Sequence, residues 1–242
     1  MPDETLKSKR SDSLTLYTTK TGNFYLPSDA HQDIIANAIK NDEIFDEEII
    51  ICAKKYIIPG STVLDVGTNF GQMSVLFSKM VGNNGIVYSF EADNFIFETL
   101  KRNIEANDCK NVVPVYGAVH DIANATLYFP EQDFDRFGTY GSYGIDYINK
   151  TGREVPTVTI DSQNIGTKIS FMKIDIQGGD LNALRGAEET IRRNQMPILF
   201  EFEYVFQDEL KLDFQDYVDF VQHIGYKFQR VIYGANFLIV PK

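Results

Sequence analysis

Cysteine is scarce: Cys52 and Cys109 are all that 242 residues contain. They form no closely spaced metal-ligand pair and no disulfide framework, and such low use fits a reducing compartment. No apolar run follows the basic Lys7, Lys9 and Arg10, so no secretory signal is expected. No run reaches the roughly 20 apolar residues that a spanning helix needs. Positive charge is also short, with 23 Lys and Arg against 34 Asp and Glu and a net charge of -11. An acidic surface repels phosphate backbones and anionic membranes. These absences lead us to expect a cytoplasmic protein with no nucleic-acid partner and no membrane span. They leave homo-oligomerisation open.

What is present is ordinary for a soluble domain: 43% hydrophobic and 24% charged residues, enough for one large core. Residues 1–12 are polar and read as a frayed terminus. Short strands are expected at 14–19 and 23–26 around a Lys20-Thr21-Gly22 turn, then helices over 30–41 and 46–57. From there strands and helices alternate. Strands are expected at 63–66, 86–90, 112–116, 170–174 and 198–202, and helices over 72–80, 94–107, 180–193 and 214–224. Two closing strands, 227–233 and 236–240, make a hairpin. The alternation predicts a doubly wound α/β fold with a mainly parallel sheet. It also divides the chain into an N-terminal extension, 1–57, and a core domain, 58–242. The Tyr- and Gly-rich stretch 130–154 has little periodicity and reads as a loop covering a substrate.

Four segments carry chemistry. Asp65-Val66-Gly67-Thr68-Asn69-Phe70-Gly71 leaves a buried strand and opens a helix. Its D-x-G-x-N-x-G spacing is neither the dinucleotide fingerprint nor a P-loop. Glu91 ends the next strand, about 20 residues on, where an acid can accept hydrogen bonds from ribose hydroxyls. Ala118 and Val119 are small and apolar enough to flank an adenine ring. Asp175 follows the strand after the excursion, at the carboxyl end where open α/β sheets bind ligands. It is also placed to cap the next helix, and Asp180 reads as a first-turn acid of that helix.

Together VLDVGTNFGQMS at 63–74, YSFEAD at 88–93, VTIDSQ at 158–163, MKIDIQGGDLNALRGAEETI at 172–191 and PILFEFE at 197–203 resemble the FkbM-type methyltransferases. The resemblance implies a class I methyltransferase fold with a Rossmann-like seven-stranded sheet. It implies S-adenosylmethionine as donor and a hydroxyl of a sugar, glycan or natural product as acceptor. It places cofactor contacts at Asp65, Gly67, Asn69, Gly71 and Glu91, to which Thr68, Ala118, Val119 and Asp175 are added from their positions. The family commonly has alanine at 68, proline at 92 and D-V-E-G-A-E where this chain has Asp175-Ile176-Gln177-Gly178-Gly179-Asp180. Gln177 can neither act as a base nor carry charge.

A hydroxyl acceptor must lose a proton, so a base is sought. Asp175 leads, followed by Glu203 and His120. Asp175 with Glu201 or Glu203 is alternatively a set for a hard divalent cation such as magnesium. Two other functional classes stay open from the residues alone, an NAD(P)-dependent oxidoreductase and a non-catalytic relative that keeps the cofactor fold.

Overall fold

The computed structural model describes residues 13–132, 138–231 and 234–242. The terminus expected to fray, 1–12, lies outside them, as do parts of the 130–154 excursion and of the closing turn. The described chain opens with an antiparallel hairpin, β1 (Leu14–Thr18) and β2 (Asn23–Pro27). Two short helices follow, α1 (Ile34–Lys40) and α2 (Glu47–Ala53). The alternating part then runs β3 (Thr62–Val66), α3 (Gln72–Val81), β4 (Ile86–Glu91), α4 (Asn94–Ala106) and β5 (Val112–Tyr116). Every residue of β3 is buried, as in a strand covered on both faces, which is why it reads as a near-continuous apolar run.

The segment between β5 and the next core strand holds more structure than its sequence suggests. Strands β6 (Ala118–Val119), β7 (Thr126–Phe129) and β8 (Arg153–Val158) make a separate three-stranded sheet. Pro156 within β8 cannot donate to a ladder, and this weakens the strand signature. The core resumes with β9 (Ile169–Ile174), α5 (Asp180–Arg185), α6 (Glu188–Asn194) and β10 (Ile198–Glu201). The single helix expected over 180–193 is broken at Gly186, where a Cβ would stand 1.9 Å from His120 O. The chain leaving β6 crosses there, and the helix gives way. Helices α7 (Tyr204–Leu210) and α8 (Phe214–His223) precede the final hairpin of β11 (Tyr226–Val231) and β12 (Asn236–Pro241).

The main sheet has seven strands in the order β11-β12-β10-β9-β3-β4-β5. Strand β12 runs antiparallel to both its neighbours, while the pairs from β10 to β5 are parallel. This is the strand arrangement expected of a class I methyltransferase. The chain steps from β3 out to β5, then returns to β9 on the other flank, so strand order reverses between β3 and β9. Ligand crevices form outside the carboxyl ends of strands at such a point.

Successive residues of β3 face opposite sides of the sheet. Leu64 and Val66 pack with Leu181, Leu184 and Tyr217, whereas Val63 packs with Phe77, Val87 and the hairpin residues Phe24 and Leu26. The N-terminal extension therefore completes one face of the core. Asn103 of α4 fastens it, accepting from Tyr25 N at 2.6 Å and donating to Phe70 O at 2.8 Å. Among the described residues no helix is long and apolar enough to cross a membrane.

Candidate active site

A cavity of about 820 Å³ opens at the carboxyl ends of the central strands. Its walls include Gly67, Asn69, Glu91, Ala118 and Val119 together with Asp175, Gln177, Glu201 and Glu203. The extension contributes Asp46, and the excursion contributes Tyr140 and Tyr147.

The turn after β3 is built for close approach. Gly67 has φ +79°, and a Cβ on it would fall 1.8 Å from Asp175 O. Two strand ends thus touch backbone to backbone. Asn69 N donates to Glu91 Oε2 at 2.9 Å. Glu91 Oε1 accepts from Ala92 N and Asp93 N, both at 2.8 Å. The carboxyl is clamped by three amides, yet burial pushes it up to about 7.

Three residues expected to contact a cofactor lie behind this surface. Asp65 has no solvent exposure and accepts from Ser74 Oγ at 2.5 Å. Thr68 donates to Asp65 O at 3.0 Å, and Gly71 packs against Leu100 at the start of α3. They shape the turn, while Gly67, Asn69 and Glu91 face the cavity.

His120 is also displaced from its expected place. Its Nδ1 sits 2.6 Å from Asp121 Oδ1, and its Nε2 lies 3.2 Å from Asn182 Nδ2. Its ring centroid is 6.2 Å from that of Tyr147. It is Tyr147, not His120, that lines the cavity. Burial lowers the imidazole below its ordinary value.

The acidic wall follows β9 and β10. Asp175 does not cap the next helix, whose cap position is Gly179 with no side-chain bond. Asp175 Oδ2 instead lies 3.2 Å from Lys173 Nζ. Lys173 was read only as a strand residue, yet it is buried and central. Its ammonium donates to Gly67 O at 2.8 Å and stands 3.8 Å from Asp65 Oδ1. Burial opposes its charge, but Asp175 and Asp65 outweigh that and hold it above its usual value. A lysine inside an apolar strand pattern facing an aspartate on the neighbouring strand was the available signal, since Asp65 and Lys173 are register partners.

Glu201 and Glu203 both reach the cavity. Burial and then the charge on Asp175 push both carboxyls up. Asp180 is the first-turn acid of α5, as expected, but it is only 1% exposed, and burial followed by the Asp175 charge raises it to about 8. It holds its proton more tightly than an exposed acid and gives correspondingly less charge to the helix dipole. The magnesium set does not assemble: among the described residues no group of three or more His, Cys, Asp or Glu side chains is placed to hold a metal. The Lys173 ammonium already supplies a positive charge beside Asp175.

The family model for the methyltransferase FkbM domain matches residues 65–228. The chain belongs to this FkbM methyltransferase family. Among its relatives, protein-L-isoaspartate O-methyltransferase 1 of Archaeoglobus fulgidus is 26% identical over 120 residues, 50% of this chain and 49% of that one. A probable cobalt-precorrin-6B C(15)-methyltransferase of Sulfolobus acidocaldarius is 34% identical over 80 residues, 32% of this chain and 42% of that one. The chain spans about half the length of these curated relatives or less. A crystal structure of methyltransferase FkbM from Methylobacillus flagellatus aligns with a TM-score of 0.48 at 15% identity, covering 77% of this chain and 48% of that one. The oxidoreductase alternative finds no support in an FkbM domain.

Proposed function

We propose that the protein is an S-adenosylmethionine-dependent O-methyltransferase acting on a hydroxyl of a sugar, glycan or natural product. The observation that carries this reading is the single cavity shared by Gly67, Asn69 and Glu91 on the donor side and by Asp175 with its acidic neighbours. The residues fit the donor. Gly67 lets the turn close on the Asp175 carbonyl, where a Cβ would not fit, and Glu91 presents a carboxyl for the ribose hydroxyls. Ala118 and Val119 offer an apolar flank for adenine, and Asp175 suits a cationic ligand. When bound, S-adenosylmethionine supplies an activated methyl group on a cationic sulfur. The remaining work is alignment and removal of one proton.

Asp175 is the base in this reading, with Glu203 next; His120 has no direct access to the cavity. Lys173 fixes Asp175 against the glycine turn and offsets its charge. Two measurements test the reading. Calorimetry with S-adenosylmethionine reports the donor site, where Glu91→Ala is expected to weaken binding by roughly ten- to a hundredfold. Transfer of labelled methyl to a panel of sugars and glycan fragments reports the acceptor, and Asp175→Asn is expected to slow it by roughly a hundredfold or more. Donor binding without transfer to any hydroxyl acceptor favours the non-catalytic alternative.

A further inference from the structure

Asp46 stands immediately before α2, where an aspartate ordinarily turns its carboxylate back to accept the first free helix amides. Here it does not. Its backbone is left-handed, with φ 53° and ψ 50°, and its side chain makes no capping hydrogen bond. Asp33, at the same position of α1, has an extended backbone and caps Ala36 N at 2.7 Å. Asp46 thus combines a lost cap with a backbone conformation that L-residues avoid, although aspartate tolerates it better than most.

What the geometry secures is direction. The half-buried carboxylate lines the cavity and has no hydrogen-bond or ion-pair partner among the described residues. Burial, then the nearby Asp175 charge, pushes this carboxyl up to about 6 against the pull of Lys173, which leaves it mainly ionised at pH 7 and above. Lys173 is already engaged by Gly67 O at 2.8 Å and Asp175 Oδ2 at 3.2 Å. Ile35 and Phe45 line the same cavity. All three precede residue 65, where the family match begins, so this wall lies outside the matched domain.

We infer that Asp46 is a specificity-determining residue that accepts a hydrogen bond from a hydroxyl or ammonium group of the acceptor and rejects acceptors carrying a carboxylate. The inference rests on the methyltransferase reading for the identity of the cavity. An ionised carboxylate only accepts hydrogen bonds, so its partner must donate. Asp175 shares the cavity, so an anionic acceptor meets like charge there as well as at Asp46. Such repulsion is how a site discriminates among otherwise similar ligands.

The test is calorimetry in the presence of S-adenosylhomocysteine, with methyl glucoside, glucosamine and glucuronic acid as probes, on the full chain and its Asp46→Asn variant. Asparagine tolerates the left-handed backbone and keeps the shape while removing the charge. In the unaltered protein the glucoside and glucosamine are expected to bind at least tenfold more tightly than glucuronic acid. In Asp46→Asn that ratio is expected to shrink severalfold, with S-adenosylhomocysteine affinity and melting temperature unchanged, because no cap is lost. An undiminished ratio in the variant overturns the inference, as do three probes that bind alike or not at all. If S-adenosylhomocysteine binds in those cases, the methyltransferase reading survives the loss of the inference. If it does not bind, that reading fails and the inference falls with it.

Discussion

Gln177 donates its side-chain amide to Glu201 Oε2 at 3.1 Å. The same amide reaches Asp175 Oδ1 at 3.5 Å, so a neutral donor sits between two acids that repel one another. The family's usual glutamate would place a third carboxylate at this point and remove the donor. Gln177→Glu is therefore expected to lower stability by about 1 kcal/mol, the net worth of a hydrogen bond lost at a half-buried site. The new acid gains charge as pH rises, so the loss should be larger at pH 8 than at pH 5. Thermal melts at the two pH values read this directly. Equal melting temperatures for the two proteins at both pH values would mean that the amide contributes nothing. Transfer activity higher in the variant would show that Gln177 attenuates the enzyme.

Lys173 carries a second expectation. Asp65 is fully buried and has this ammonium 3.8 Å away. Lys173→Met should cost about 3–5 kcal/mol, because it leaves a buried charge uncompensated. Asp65→Asn keeps the shape beside Ser74 and removes the charge that needed compensation. The double variant should therefore recover much of the loss, giving a coupling energy above about 1 kcal/mol in a double-mutant cycle by urea unfolding. Strict additivity would mean that the two residues are not paired.

Asp33 ties the extension to the excursion. Its Oδ1 caps α1, while Oδ2 accepts from Tyr140 N at 2.7 Å and Thr139 Oγ1 at 3.0 Å. Tyr140 is itself packed against Phe70 and Phe95, with centroids 5.9 and 5.7 Å away. Asp33→Ala loses a cap worth about 1 kcal/mol and leaves a buried amide unsatisfied for about 1–3 kcal/mol more. At about 2–4 °C per kcal/mol for a chain of this size, the melting temperature should fall by several degrees. Hydrogen exchange of the Tyr140 amide should accelerate selectively. Unchanged protection there would show that the excursion holds itself in place.

The sequence made the central sheet readable because its strands are short apolar runs between turn residues, and the glycine turn with Glu91 because their spacing is set by backbone geometry. Other features were hidden for physical reasons. The β7–β8 pairing joins segments separated by the whole excursion, and nothing local announces it. The break at Gly186 depends on His120 O crossing the helix, a tertiary contact. Helix α7 begins with Tyr204 and Val205, which are 72% and 67% exposed, so its apolar residues do not trace one buried face. Asp46 looked like a helix residue because only its backbone conformation turns the carboxylate toward the cavity. Asp65 and Thr68 sit in the right motif, yet on a strand buried on both faces, and in the tight turn that leaves it, a motif residue can as readily point inward as toward a ligand.

Asp180 provides the pH test. Its carboxyl is buried near the Tyr217 side chain. Burial, then the Asp175 charge, raises the carboxyl from 3.8 to about 8, with Lys173 and backbone amides acting the other way. Below about pH 4 the carboxyl is protonated in both folded and unfolded chains and does not affect stability. Between about pH 4 and 8 the unfolded chain releases the proton and the folded chain retains it. The unfolded state then binds fewer protons, so stability falls as pH rises through this window and levels off above it. Asp180→Asn has no proton to lose. Relative to the unaltered protein, it should gain stability from pH 5 to pH 8 by more than about 1.4 kcal/mol, the worth of one pH unit. Melting temperatures of the two proteins at those pH values should diverge by at least about 2–4 °C in favour of asparagine. A constant difference across the window would mean that Asp180 is ionised throughout.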